Sequence, residues 1–200
     1  MTDEHPSHFK AGEKRAGVKI TVIRFLHNYG DLLVTVIVML VLFRGVFLLG
    51  FAASGSMEPA LPAHSVFLSW HFSYAVGDPV PERGAVVLIT SDELGKTLVK
   101  RVVGLPGETV SFQGGKVLIN GTVLDETYLP VQEDTYPQNE GDAFTVPTGC
   151  AFLLGDHRAN YQDSRFWKEP FIPVSKIRAR ALVDFSLWPG NTWTGVRKVS

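Results

Sequence analysis

One stretch of the chain is apolar at nearly every position, and the remainder is apolar only in short bursts. From Leu32 to Leu49 the exceptions are Thr35, Arg44 and Gly45. At about 1.5 Å per residue such a run spans about 27 Å as a helix, close to the thickness of a bilayer core. It predicts one transmembrane helix over residues 31–50, with Arg44 near enough to its end to snorkel to the headgroups.

After residue 50 the helix-length pattern stops. Short apolar runs follow, each bounded by turn residues: Ser65–Ser69, Ala85–Thr90, Thr97–Val103, Thr109–Phe112, Lys116–Ile119, Ala151–Leu154 and Ala179–Phe185. Gln113-Gly114-Gly115 and Asn120-Gly121 read as hairpin turns, making Val110–Phe112, Val117–Ile119 and Thr122–Leu124 a meander. Strands without helices between them predict a mostly β domain over residues 51–200, built as an antiparallel sheet, a sandwich or an irregular barrel. Residues 126–149, rich in Pro, Gly and acids, read as an extended surface loop, and Trp188 to Ser200 shows no clear periodicity.

Charge orients the anchor. Lys10, Lys14, Arg15, Lys19 and Arg24 precede the helix, whereas Phe51 to Val80 contains no Lys or Arg. The positive-inside rule places residues 1–30 in the cytoplasm and residues 51–200 outside. Val18 to Leu26 mixes apolar and basic residues and reads as an interfacial stretch. A cleaved secretory signal ending near Phe51-Ala52-Ala53 is the alternative, but its leading and apolar segments would both be unusually long. The chain has 200 residues, is 45% hydrophobic and 20% charged, and carries a net charge of -1, so it is not disordered overall and has no nucleic-acid footprint. Cys150 is the sole cysteine and the six histidines lack metal-ligand spacing, so neither a disulfide within the chain nor a metal centre is expected.

Three segments have the residue types that chemistry needs. A serine hydroxyl is inert until a neighbouring base takes its proton. Ser54-Gly55-Ser56-Met57-Glu58-Pro59 is an irregular segment between the anchor and the first strand, readable as a linker or as a place where backbone and ligand approach closely. Lys100 and Arg101 interrupt the apolar strand Thr97–Val103 and point to opposite faces. Either this is an edge strand with two solvated cations, or at least one of them is buried; a buried lysine has a lowered pKa and becomes a base near neutral pH. Gly155 to Arg165 is polar and compact, with Asp163 placed to pair with Arg165 and Asp156 placed to reach a cation elsewhere.

In this order the segments resemble the bacterial type I signal peptidases, which use a Ser–Lys pair. The resemblance rests on Ser54-Gly55-Ser56-Met57-Glu58-Pro59-Ala60-Leu61, Arg83-Gly84-Ala85-Val86-Val87, Lys100-Arg101-Val102-Val103-Gly104-Leu105-Pro106-Gly107-Glu108, and Gly155-Asp156-His157-Arg158 with Asn160 and Asp163-Ser164-Arg165. It implies Ser56 as nucleophile, Lys100 as general base, and the Ser54 hydroxyl with the Ser56 N–H as oxyanion hole. It also implies small apolar pockets at Met57, Leu61 and Val99 for Ala-x-Ala sites in preprotein signal peptides. Arg101, Asp156, Asp163, Ser164 and Arg165 would brace the site. The activity implied is signal-peptide removal at the plasma membrane, without cofactor or metal, with Trp70, Phe72 and Tyr74 contributing to a lipid-facing surface. Tyr161 departs from the pattern: the family usually has there a serine whose hydroxyl helps to hold the lysine. Ala60, Ala85 and Lys168 replace the usual Thr, Asp and Gly. A catalytically weakened homologue and a peptidase dedicated to one exported or pilus-type substrate stay open beside the general enzyme. A Ser–His–Asp hydrolase using His157 or His64 is the alternative of another class.

Overall fold

A computed structural model describes residues 9–71, 81–129, 133–160, 162–186 and 195–199; for residues 9–26, 186 and 195–197 it describes the backbone alone. The apolar run is helical, but the helix, α1, covers Phe9–Val46 and so includes the basic stretch before it. Val18 to Leu26 is therefore part of this same helix. Within it, His27–Val46 is long and apolar enough to cross a membrane. The helix ends earlier than the apolar pattern suggests. Phe47 to Leu49 belong to a strand, β1 (Phe47–Phe51), because Phe47–Phe51 pairs antiparallel with Val66–Trp70 (β2). An apolar run alone does not separate a helix from a buried strand, and here a partner strand decides.

The remaining strands are β3 (Val86–Ser91), β4 (Lys96–Gly104), β5 (Thr109–Gln113), β6 (Lys116–Ile119), β7 (Thr122–Val123), β8 (Ala143–Thr145), β9 (Cys150–Leu154), β10 (Phe171–Pro173), β11 (Ile177–Ser186) and β12 (Gly195–Lys198). Among the described residues they form two open antiparallel sheets. The larger runs β1-β2-β11-β3-β4-β9-β10 with β12 beside β11, and the smaller runs β7-β6-β5-β8. The fold is thus mostly β with one N-terminal apolar helix, and neither sheet closes into a barrel.

The large sheet is covered on both faces. On β3, Val86 and Leu88 join one apolar cluster with Met57, Leu61, Phe67 and Ala179. Val87 and Ile89 join another with Val102, Leu153, Trp167 and Ile177. This explains why β3 reads as a continuous apolar run rather than an alternating one. A third cluster, with Val103, Val110, Val117, Val146 and Phe152, packs the small sheet against the large one. Gly104 sits at that junction: a Cβ there would lie 2.6 Å from Val110 and 2.9 Å from Phe152. The expected meander is present, with Asn120 and Gly121 at positive φ in its second turn.

Candidate active site

The position of β4 creates the site. Along its whole length it pairs with β3, from Lys96↔Ser91 to Arg101↔Val86. On its other side β9 pairs only with Arg101, Val102 and Gly104, with a register shift between the last two. Among the described residues, Lys96 to Lys100 therefore have no strand on that side, and their backbone groups form a short free edge.

Lys100 and Arg101 are 2% and 0% exposed, so both cations leave solvent and the solvated-edge reading is excluded. They are handled differently. Arg101 is fully paired: Nε and Nη2 donate to the two Asp156 oxygens at 2.7 and 2.6 Å, and Nη1 donates to the Gly84 carbonyl at 2.7 Å. Lys100 faces Asp163 and Asp156 but is shut away from water, and burial outweighs their attraction. Its pKa falls from the ordinary 10.5 to about 8; Arg165 and Lys96 push it in the same direction.

The serine segment sits opposite. Met57 and Leu61 anchor it in the core at 2% and 0% exposure and bridge to one another, with Leu61 N donating to Met57 O at 2.8 Å. Between Ala52 and Met57 the chain rises to the surface, so Ser54 is exposed and Ser56 half-buried. The turn is closed by Glu58 N on Gly55 O, and the Glu58 carboxylate accepts from Ala63 N at 3.1 Å.

The third wall is the loop from Gly155 to Arg165. Asp163, 0% exposed, accepts from Arg165 Nε and Nη2 at 2.9 and 2.8 Å and from Gly155 N at 3.1 Å. Ser164 Oγ accepts from Leu153 N at 3.0 Å, which ties the loop back to β9. Ser56 O accepts from His157 N at 3.3 Å. Gly155 stands where the three walls meet. A Cβ placed on it would lie 2.7 Å from Ser56 O, 3.3 Å from Lys100 Nζ and 3.8 Å from Asp163 Oδ2.

Between these walls lies a cleft of about 240 Å³. Its lining includes Ser54, Ser56, Met57, Leu61, Val99 and Lys100, together with Lys96 and Gln162. Every residue expected to act on or bind substrate is thus in one cavity, while Arg101, Asp156, Asp163, Ser164 and Arg165 form the buried frame behind it. A larger cavity of about 700 Å³ lies between the β5–β6 hairpin and residues 135–141, but no lysine lines it. His64 and His157 do not line the cleft. No group of His, Cys, Asp or Glu among the described residues has metal-binding geometry. Tyr161, Phe72 and Tyr74 lie outside the described residues. Trp70 is 41% exposed, as are Leu49 and Phe51 to a greater degree.

Residues 126–149 depart from the surface-loop expectation. Thr135 is buried at 1% exposure, Val146 at 1%, and Ala143–Thr145 is a strand. Glu126 pairs with Arg158, and Tyr128 lies over the Arg101 guanidinium at 4.0 Å. Arg158 was the available signal: an arginine in a compact buried loop needs a carboxylate, and an acid-rich stretch upstream supplies one.

A family described as "Signal peptidase, peptidase S26" matches residues 26–188. Signal peptidase I of Leptolyngbya laminosa is 36% identical over 146 residues, which cover 69% of this chain and 67% of that protein. Probable signal peptidase I-2 of Synechocystis sp. is 36% identical over 142 residues, covering 68% and 61%. Signal peptidase I S of Bacillus subtilis is 32% identical over 164 residues, covering 75% and 86%. The matched part spans only 61% to 67% of the first curated relatives' length. A signal peptidase I structure from Enterococcus faecalis overlaps 50% of this chain and 95% of its own, at 31% identity and a TM-score of 0.43.

Proposed function

Since the chain belongs to the signal peptidase family, peptidase S26, we propose that it is a membrane-anchored serine endopeptidase that removes signal peptides from exported preproteins. The observation that supports this best is a buried lysine with a pKa near 8, sharing one cleft with two serines beside a free strand edge.

The chemistry follows from those parts. An extended substrate adds to the Lys96–Lys100 edge, so main-chain hydrogen bonds hold it in register. Met57, Leu61 and Val99 leave room for small side chains, which suits an Ala-x-Ala site. Lys100 in its neutral form takes the proton from Ser56 Oγ as that oxygen attacks the scissile carbonyl. The Ser56 N–H and the Ser54 hydroxyl donate to the oxyanion. Lys100 then gives the proton to the leaving amine, and water, deprotonated by the same lysine, releases the acyl group. At pH 7 roughly a tenth of a lysine with pKa 8 is neutral, and a bound apolar substrate displaces more water and raises that share. Asp163, Asp156 and their arginines hold Lys100 in place without reacting.

His27–Val46 serves as the anchor, with the basic N-terminal side in the cytoplasm and the β domain, residues 51–200, outside. Ser56→Ala and Lys100→Ala should each abolish cleavage of an Ala-x-Ala preprotein in detergent, with circular dichroism unchanged. Cleavage by either folded variant would overturn the proposal.

A further inference from the structure

We infer that Glu126 and Tyr128 are positioning residues of this site: acting through Arg158 and Arg101, they hold Gly155 and Asp156, and so the wall against which Lys100 is buried. The inference rests on the reading of Lys100 as the base.

The connections are direct. Arg158 has no exposed side-chain surface, and Glu126 retains 7%. Arg158 Nη1 donates to Glu126 Oε2 at 2.8 Å and to Thr135 Oγ1 at 2.9 Å, and Nη2 donates to Glu126 Oε1. Nε donates to the Gly155 carbonyl at 3.1 Å. Tyr128 Oη donates to Glu126, and its ring lies on Arg101, whose other groups hold Asp156 and Gly84. Burial and Glu126 raise the Tyr128 pKa, so the phenol stays a neutral donor. Arg165 Nη1 also donates to Tyr136 O at 3.0 Å, so the same stretch is tied to the loop at a second place.

Charge gives the arrangement its direction. Arg101 is matched by Asp156 and Arg165 by Asp163, both within the expected frame. Arg158 forms its ion pair outside that frame, with Glu126, and Asp156 adds a smaller attraction. With Glu126 neutral, a buried guanidinium keeps its bond to Gly155 but loses its ion-pair partner, and such cations draw in water or move. Gly155 faces both residues closely: a Cβ built on it would lie 2.7 Å from Ser56 O and 3.3 Å from Lys100 Nζ. A displacement there is passed to both reacting residues.

The test uses the full chain in detergent, with kcat and KM on an Ala-x-Ala preprotein and with titration of Lys100 by NMR of ¹³C-labelled lysine. Lys100→Ala identifies the resonance. The charged groups that act on Lys100 are Asp163, Asp156, Arg165 and Lys96, and all are kept in every variant. Glu126→Gln should lower kcat at least about tenfold with KM nearly unchanged. Its Lys100 titration should move upward from about 8, because burial is the largest cause of the depression and loosening relieves it. Tyr128→Phe, which keeps the ring on Arg101, should shift both in the same direction by less, and Glu126→Asp should restore part of the rate. A folded Glu126→Gln protein with the wild-type Lys100 titration overturns the inference, whether or not activity falls. If Glu126→Gln does not fold, Tyr128→Phe decides on the same criteria. Activity in Lys100→Ala would instead remove the base assignment, while the Lys100 titration in the Glu126 and Tyr128 variants still reports on the wall.

Discussion

The two walls that carry the proposed nucleophile and base are built in opposite ways. The serine wall, from Ala52 to Leu61, is held by apolar anchors and backbone hydrogen bonds, with Ser54 exposed and Ser56 half-buried. The lysine wall, β4 with the loop from Gly155 to Arg165, is held by buried ion pairs, and the Lys100 amine is shut away from water. The difference follows the chemistry. A nucleophile must meet substrate, whereas a lysine becomes a base near neutral pH only when its charged form is made costly. Burying the lysine requires a neutral frame around it, and three arginine–carboxylate pairs supply one.

The largest expected effect breaks the ionic side. Arg101→Ala leaves Asp156 buried without its partner and should cost about 3–5 kcal/mol, read as a lower midpoint in urea unfolding of the β domain. A loss below about 1 kcal/mol would mean that the frame is not held by charge.

Gly155→Ala tests where the two walls touch. The new Cβ meets a backbone oxygen, Ser56 O, at 2.7 Å, so one wall must shift. A displacement of that kind should lower kcat about 10²-fold, measured on a preprotein substrate. Activity within twofold of wild type would show that the gap is wider than it stands in this structure.

Next in size is the pH dependence. Lys100, the proposed base, would act when neutral, so kcat/KM should rise about tenfold per pH unit below its pKa and level off above about 8. A limb centred near 10.5 would place Lys100 in water and remove the contrast between the walls. The smallest effect belongs to the serine side. In Gly55→Ala the new Cβ meets the Glu58 carboxylate at 2.8 Å, but that is the end of a flexible side chain. A loss of only a few-fold in kcat/KM is expected; a loss equal to that of Gly155→Ala would show that the serine wall is as rigid as the other.

The seven strands expected from apolar runs are all present, because each run has its own turn residues and the buried faces demand alternation or continuous apolarity. β1, β8, β10 and β12 were not legible: β1 continues the anchor's apolar run, and the other three are only three, three and four residues long. The candidate site was legible where residue chemistry conflicts with its surroundings, as with Lys100 and Arg101 in an apolar strand. Glu126 and Tyr128 were not legible, because an acid and a tyrosine in a Pro- and Gly-rich stretch have no conflict to reveal until their partners are known.

By itself the sequence determined the apolar helix, the β character of the chain beyond it and the residues available for chemistry, since these depend on local periodicity and side-chain type. Family motifs added the order in which those residues would be used. Only the tertiary structure decided that both Lys100 and Arg101 are buried, that β9 leaves the β4 edge free up to Arg101, and that Gly155 brings Ser56 and Lys100 against one wall. Those outcomes depend on contacts between segments far apart in the chain, and burial, which lowers the pKa of an ordinary lysine, is a property of the packed molecule.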